Sequence, residues 1–169
     1  MARLARFALL SALIIVAAPA SPHRSAAVAD ADIGKADYVF VDKSERRLNL
    51  LRDGAVIASF PVMLGFNPDG HKTQQGDGRT PEGDYVLDWR NPKSRFHLSL
   101  HVSYPNAADS EQAAVRGVSP GGDIFIHGTP AWFALAGGDW TLGCIAVSNA
   151  GMDVIWKAAP DGTPITIQP

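Results

Sequence analysis

Cysteine is nearly absent: Cys144 stands alone in 169 residues. One thiol cannot close an internal disulfide, so in an oxidising compartment Cys144 is either buried and inert or kept reduced for use. No cysteine stands close behind the N-terminal apolar run, which argues against a lipid anchor on cysteine. Basic residues form no stripe, which argues against a nucleic-acid partner. The sequence shows no internal repeat, no heptads and no phosphate loop. The glycines of Gly76-Asp77-Gly78 lack the following helix that a nucleotide motif needs. The longest apolar run, Phe7 to Ala20, is fourteen residues and too short to favour spanning a bilayer.

What is present begins with that run. Arg3 and Arg6 precede it, and small residues follow at Ala18-Pro19-Ala20 and Ala27-Val28-Ala29. Residues 1–29 therefore read as an export signal, cleaved after Ala20 or, preferably, after Ala29. Residues 30–169 read as one domain, with twelve basic against seventeen acidic residues, net −5. Beyond the signal, strand patterns dominate. Tyr38–Asp42, Arg47–Leu51 and Val56–Leu64 predict a meander, with Asp53-Gly54 as a hairpin turn. Gly65–Gly83 is a long glycine-rich loop, and Tyr85–Trp89 a further strand. Phe96–Ser103 alternates apolar and polar residues, which predicts a half-buried strand. A helix is expected over Ala107–Arg116, capped by Asn106 or Asp109 and stopped by Gly117. A second helix is expected from Ser148 or Asn149 to about Ala158, burying Met152, Ile155, Trp156 and Ala159. Pro164–Ile167 ends the chain as a strand.

Chemistry concentrates between Asp123 and Asn149. Ile124-Phe125-Ile126 predicts a buried strand with His127 at its end, and Ile145-Ala146-Val147 predicts a second. Neighbouring strand ends would set His127 beside Cys144. An imidazole within hydrogen-bond reach can take a thiol's proton and return it to a leaving amine. Gly143 permits close approach of a substrate, and the Gly143 and Cys144 N–H groups could face an oxyanion. The competing reading is a small buried cysteine and a turn histidine.

The stretch His127-Gly128 … Trp140-Thr141-Leu142-Gly143-Cys144-Ile145-Ala146-Val147 resembles the signature of the L,D-transpeptidase (YkuD-domain) family. Gly65-Phe66-Asn67-Pro68, Gly76 to Gly83, Tyr104-Pro105-Asn106 and Gly162-Thr163-Pro164 extend the likeness over Ala36 to Pro169. Leu142 and Ala146 depart from the pattern, replacing a histidine and an often polar residue. The thirteen-residue spacer between His127 and Thr141 is one shorter than usual. The Asp-Trp-Thr-x-Gly-Cys-Ile-Ala-Val form resembles a subgroup that includes amidases as well as cross-linkers.

The resemblance implies a mainly β fold, a sandwich of mixed sheets with two short helices. It also implies an exported, periplasmic enzyme acting on peptidoglycan stem peptides without a cofactor. Cys144 would attack the third residue, meso-diaminopimelate, at its L centre. D-alanine would leave with a proton from His127, whose ring the Gly128 carbonyl would orient. An amine acceptor would then give a cross-link; water would make the same site a carboxypeptidase or amidase. A non-catalytic peptidoglycan-binding module is the rival. Arg79, Thr141, Ser94 and Arg95 are the substrate-binding candidates. Arg79, with His71 and Lys72, could meet substrate carboxylates, although pairing with a nearby acid would serve Arg79 equally and solvated charge would suit the other two. His97 and His101, four apart on a strand, lie about 13 Å apart and do not suit one metal ion. His97 or Ser99 could instead line a groove. A monomer without a stable membrane anchor is expected.

Overall fold

The computed structural model describes residues 33–130 and 137–169. The expected export signal, residues 1–29, lies outside them. Among the described residues no helix is long and apolar enough to cross a membrane.

Eight strands and two helices form the described part. They are β1 (Tyr38–Asp42), β2 (Arg47–Arg52), β3 (Ala55–Pro61), β4 (Gly83–Asn91), β5 (Ser99–Val102), α1 (Ala107–Val115), β6 (Phe125–Thr129), β7 (Ile145–Ser148), α2 (Asn149–Ala158) and β8 (Thr163–Gln168). The strands make one mixed sheet in the order β3-β2-β1-β8-β4-β5-β6-β7. β1–β8 and β6–β7 are parallel, and the other pairs antiparallel. The sheet curls towards a barrel: beyond β3, Met63 forms a bridge with Ala146 of the opposite end strand. The mainly β class, the mixed pairing and the two short helices are as the sequence implies.

The meander follows its turn chemistry. Asp53 and Gly54 both take positive φ, +52° and +76°, as a tight hairpin turn demands. β3 ends three residues earlier than the apolar pattern suggests. Pro61 has no N–H for a ladder, and Met63 turns across to Ala146 instead. Alternation also over-extends β5. Leu100 and Val102 are fully buried as expected, but Phe96 and His97 stand outside the strand, and His97 has φ +72°.

Asn106 and Asp109 close α1 with a reciprocal capping box. Ser148 caps α2, its side chain accepting from the Gly151 N–H at 3.0 Å. The buried face of α2 is Met152, Val154, Ile155 and Ala158, and Ala159 just beyond is also buried. Trp156, expected within that stripe, is only half-buried, its ring beneath the Arg90 guanidinium at 4.6 Å. α2 packs on β5, β6 and β7. With Leu48, Leu50, Leu87, Ile126, Ile145, Ile165 and Ile167 it forms the core. Each such side chain contributes about 1.5–3 kcal/mol relative to exposure.

Candidate active site

Parallel pairing of β6 and β7 brings the two ends of the chemical stretch together. His127 lies opposite Ala146, and the same register carried two steps back sets Cys144 beside Phe125. His127 sits in the middle of β6, not at its end, and is 4% exposed. Gly128 makes this possible. A Cβ there would lie 2.3 Å from Asn149 Oδ1 and 2.8 Å from the Phe96 carbonyl. That bare backbone admits the Phe96–His97 turn, whose carbonyl accepts the Gly128 N–H at 2.9 Å. Phe96 is thereby laid on the imidazole, with centroids 4.7 Å apart, and Trp140 meets the ring edge-on at 5.8 Å.

The Gly128 carbonyl accepts from His127 Nδ1 at 2.7 Å. This bond requires the proton on Nδ1 and leaves the Nε2 lone pair as an acceptor. Burial holds the imidazole below its ordinary pKa, only partly offset by that bond. Cys144 is a free thiol, half-buried. Burial pushes it above the ordinary thiol value, and the Asp123 carboxylate pushes the same way; the Phe125 N–H and Lys72 oppose them. Sγ lies 3.5 Å from the Asp123 carbonyl. Both shifts favour the uncharged forms.

Cys144 and His127 line two adjoining cavities. One is also lined by Asn91, Lys93, Ser94, Arg95, Phe96, Ser99 and Phe125, the other by Arg95, Phe96, Trp140, Thr141 and Leu142. A further cavity reaches Cys144 past Lys72, Gln75, Gly121, Gly122 and Asp123. The sulfur is thus approached by more than one route. Ser94 lines the first of these cavities and Arg95 lines the first two. Arg79 lines neither: its guanidinium lies 3.4 Å from the His71 carbonyl of its own loop. His71 accepts from the Glu82 N–H and pairs with Asp109 at 3.1 Å, away from the sulfur. His97 and His101 go to separate carboxylates, Asp153 at 2.7 Å and Asp88 at 2.6 Å.

Thr141 braces the turn that carries the thiol. Its hydroxyl donates to the Cys144 carbonyl at 2.7 Å and accepts the Gly143 N–H at 3.1 Å. The Gly143 N–H, which the sequence suggested for an oxyanion, is thereby used inside the turn. Asp139 anchors the preceding limb, accepting from the Leu64 N–H at 2.7 Å and pairing with Arg46 at 2.9 Å. The motif drew attention to Thr141 but not to this clamp. Phe96, Lys93, Asn91 and Phe125 were also missed, since alternation marks a face without saying what faces it.

Gly143 is a second tight point of the site. At φ +130° a Cβ would meet the Arg79 carbonyl at 2.6 Å and Ile124 Cδ1 at 3.2 Å. Gly143→Ala is expected to displace the 141–144 turn, at a cost of about 2–4 kcal/mol. A fall in thermal midpoint, with activity lost even in the fraction that stays folded, checks this.

Residues 36–167 match the family model of the L,D-transpeptidase catalytic domain (YkuD). The chain belongs to this L,D-transpeptidase family. It is 28% identical over 133 residues to YafK of Escherichia coli K12, itself a candidate L,D-transpeptidase, covering 74% of this chain and 48% of that protein. The chain thus spans about half the length of the curated relatives it matches. The helical cell shape determining protein Pgp2 of Campylobacter jejuni superposes with TM-score 0.62 at 25% identity, over 81% of this chain and 52% of that one. An L,D-transpeptidase from Xylanimonas cellulosilytica shares the fold, with TM-score 0.53 at 18% identity, over 80% and 61%. Thr141, Gly143 and Cys144, singled out in the sequence, occupy one braced turn within the matched region.

Proposed function

We propose that this chain is an exported, periplasmic L,D-transpeptidase that acylates Cys144 with a peptidoglycan stem peptide and passes the acyl group to an amine. The carrying observation is that Cys144 and His127 line the same cavities while the Gly128 carbonyl reserves Nε2 as a base. The Cys144 proton passes to Nε2 as sulfur bonds to the carbonyl carbon of the third stem residue. The Cys144 N–H, which has no acceptor among the described residues, donates to the oxyanion. The carbon–nitrogen bond to D-alanine breaks, the leaving amine takes the proton from Nε2, and a thioester remains. An acceptor amine attacks that thioester, loses its proton to Nε2 and regenerates the thiol. Water in its place makes the site a carboxypeptidase. Lys93 and Arg95 place positive charge where a stem's carboxylates would lie.

Mass spectrometry tests this. Incubation with a tetrapeptide stem is expected to release D-alanine and leave a tripeptidyl adduct on Cys144. The products separate cross-linking from trimming. Unchanged stems and no adduct would overturn the proposal.

The raised thiol pKa makes a further prediction. Iodoacetamide should label Cys144 of the free protein slowly at neutral pH, with a rate still rising above the ordinary thiol pKa, because only thiolate reacts. A rate already level near neutrality would reveal a resting thiolate instead.

A further inference from the structure

The sheet register extends outward from the sulfur. Trp89 lies opposite His101, His101 opposite Phe125, and Phe125 beside Cys144, so the four residues form one row across β4, β5, β6 and the start of β7. The rings touch along it. Trp89 stacks on His101 at 5.2 Å and 23°, and Phe125 meets both edge-on, at 5.3 Å from Trp89 and 5.0 Å from His101. Phe125 is also a wall of the cysteine cavity, so this aromatic strip is continuous with it. Trp89 is 44% exposed, an unusual position for the largest apolar side chain in a sheet.

A register shift in β4 between Leu87 and Trp89 sets both Asp88 and Trp89 against His101. Asp88 then holds His101 Nδ1 at 2.6 Å. The exposed indole is thereby bordered by a partly exposed carboxylate and an imidazole whose Nε2 is left to bond outward. An aromatic ring flanked by hydrogen-bonding groups matches the two sides of a pyranose, which offers C–H groups on its face and hydroxyls at its rim.

We infer that Trp89, His101 and Asp88 form a platform for the sugar that carries the stem peptide. This rests on the function proposed above. Distance supports it. Three strand spacings of about 4.8 Å put Trp89 roughly 14 Å from Cys144. The reacting carbonyl belongs to the third stem residue, and three extended residues span roughly 10 Å, with the linkage to the sugar adding to this. A stem acylating Cys144 and running along the row thus delivers its sugar to Trp89. The site favours stems still attached to glycan over free peptides.

The test compares a disaccharide-tetrapeptide with the free tetrapeptide. Trp89→Ala is expected to raise KM for the sugar-bearing substrate about tenfold, the size of one aromatic contact, and to leave the free peptide within about twofold. Trp89→Phe should restore most of the difference. Equal effects on both substrates, or on neither, overturn the platform. Should the wild type turn over neither substrate, the proposed reaction fails on its own. The platform is then decided by titrating the disaccharide alone against the indole N–H resonance of Trp89. A saturable shift sustains the platform, and no shift overturns it.

Discussion

Cys144→Ala is expected to abolish turnover, with a loss on the order of 10⁴-fold or more, and to leave the fold in place. The side chain is small and half-buried, and the turn carrying it is held by backbone and by Thr141, neither of which needs the sulfur. The thermal midpoint should therefore move little. Acyl adducts should disappear from the mass spectrum. Cys144→Ser should be nearly as inactive, since a hydroxyl is far harder to deprotonate beside a weakened base. A purified alanine variant that still altered stem peptides would remove the sulfur from the chemistry altogether.

His127→Ala is the second large effect. Loss of the base should lower kcat by about 10²–10⁴-fold. It also removes a ring packed between Phe96 and Trp140, so a stability loss of about 2–4 kcal/mol should accompany it. The two effects separate through pH. Burial lowers the His127 pKa, so the neutral, active imidazole persists to more acid pH than an ordinary histidine allows. Activity of the wild type should fall on an acid limb below the usual imidazole value, and the residual activity of the variant should lack that limb. Stability has the same sign. The unfolded chain binds this proton more readily, so His127 reduces wild-type stability as pH drops through the ordinary imidazole value. A variant with an unshifted acid limb would assign the base elsewhere.

Much of this was legible in the chain itself. Asp53-Gly54, Asn106 with Asp109, and Ser148 each specify local structure through their own hydrogen bonds or φ, so sequence alone places them. His127 and Cys144 were legible because their residue types and the apolar runs beside them already suggest neighbouring strands. The failures share a cause. Phe96 and His97 continue an alternating pattern, yet the bare backbone of Gly128 draws them out of the strand, a contact 32 positions away from Phe96 in sequence. The Gly143 N–H looked available because Thr141, two residues earlier, gives no sign in sequence of turning its hydroxyl inward. Arg79 resembled an anion binder because its loop is polar, and only the loop's packing turns it towards the His71 carbonyl.

Met63 exchanges both of its backbone bonds with Ala146, at 2.9 and 2.8 Å, so the outer side of β7 is already engaged two residues from the thiol. A visiting peptide cannot dock there as an added strand. Its amides are read by none of the ladder geometry that enforces one handedness along a chain. Recognition falls to side chains and cavities, whose contacts are placed one by one and owe nothing to the two-residue repeat of a strand.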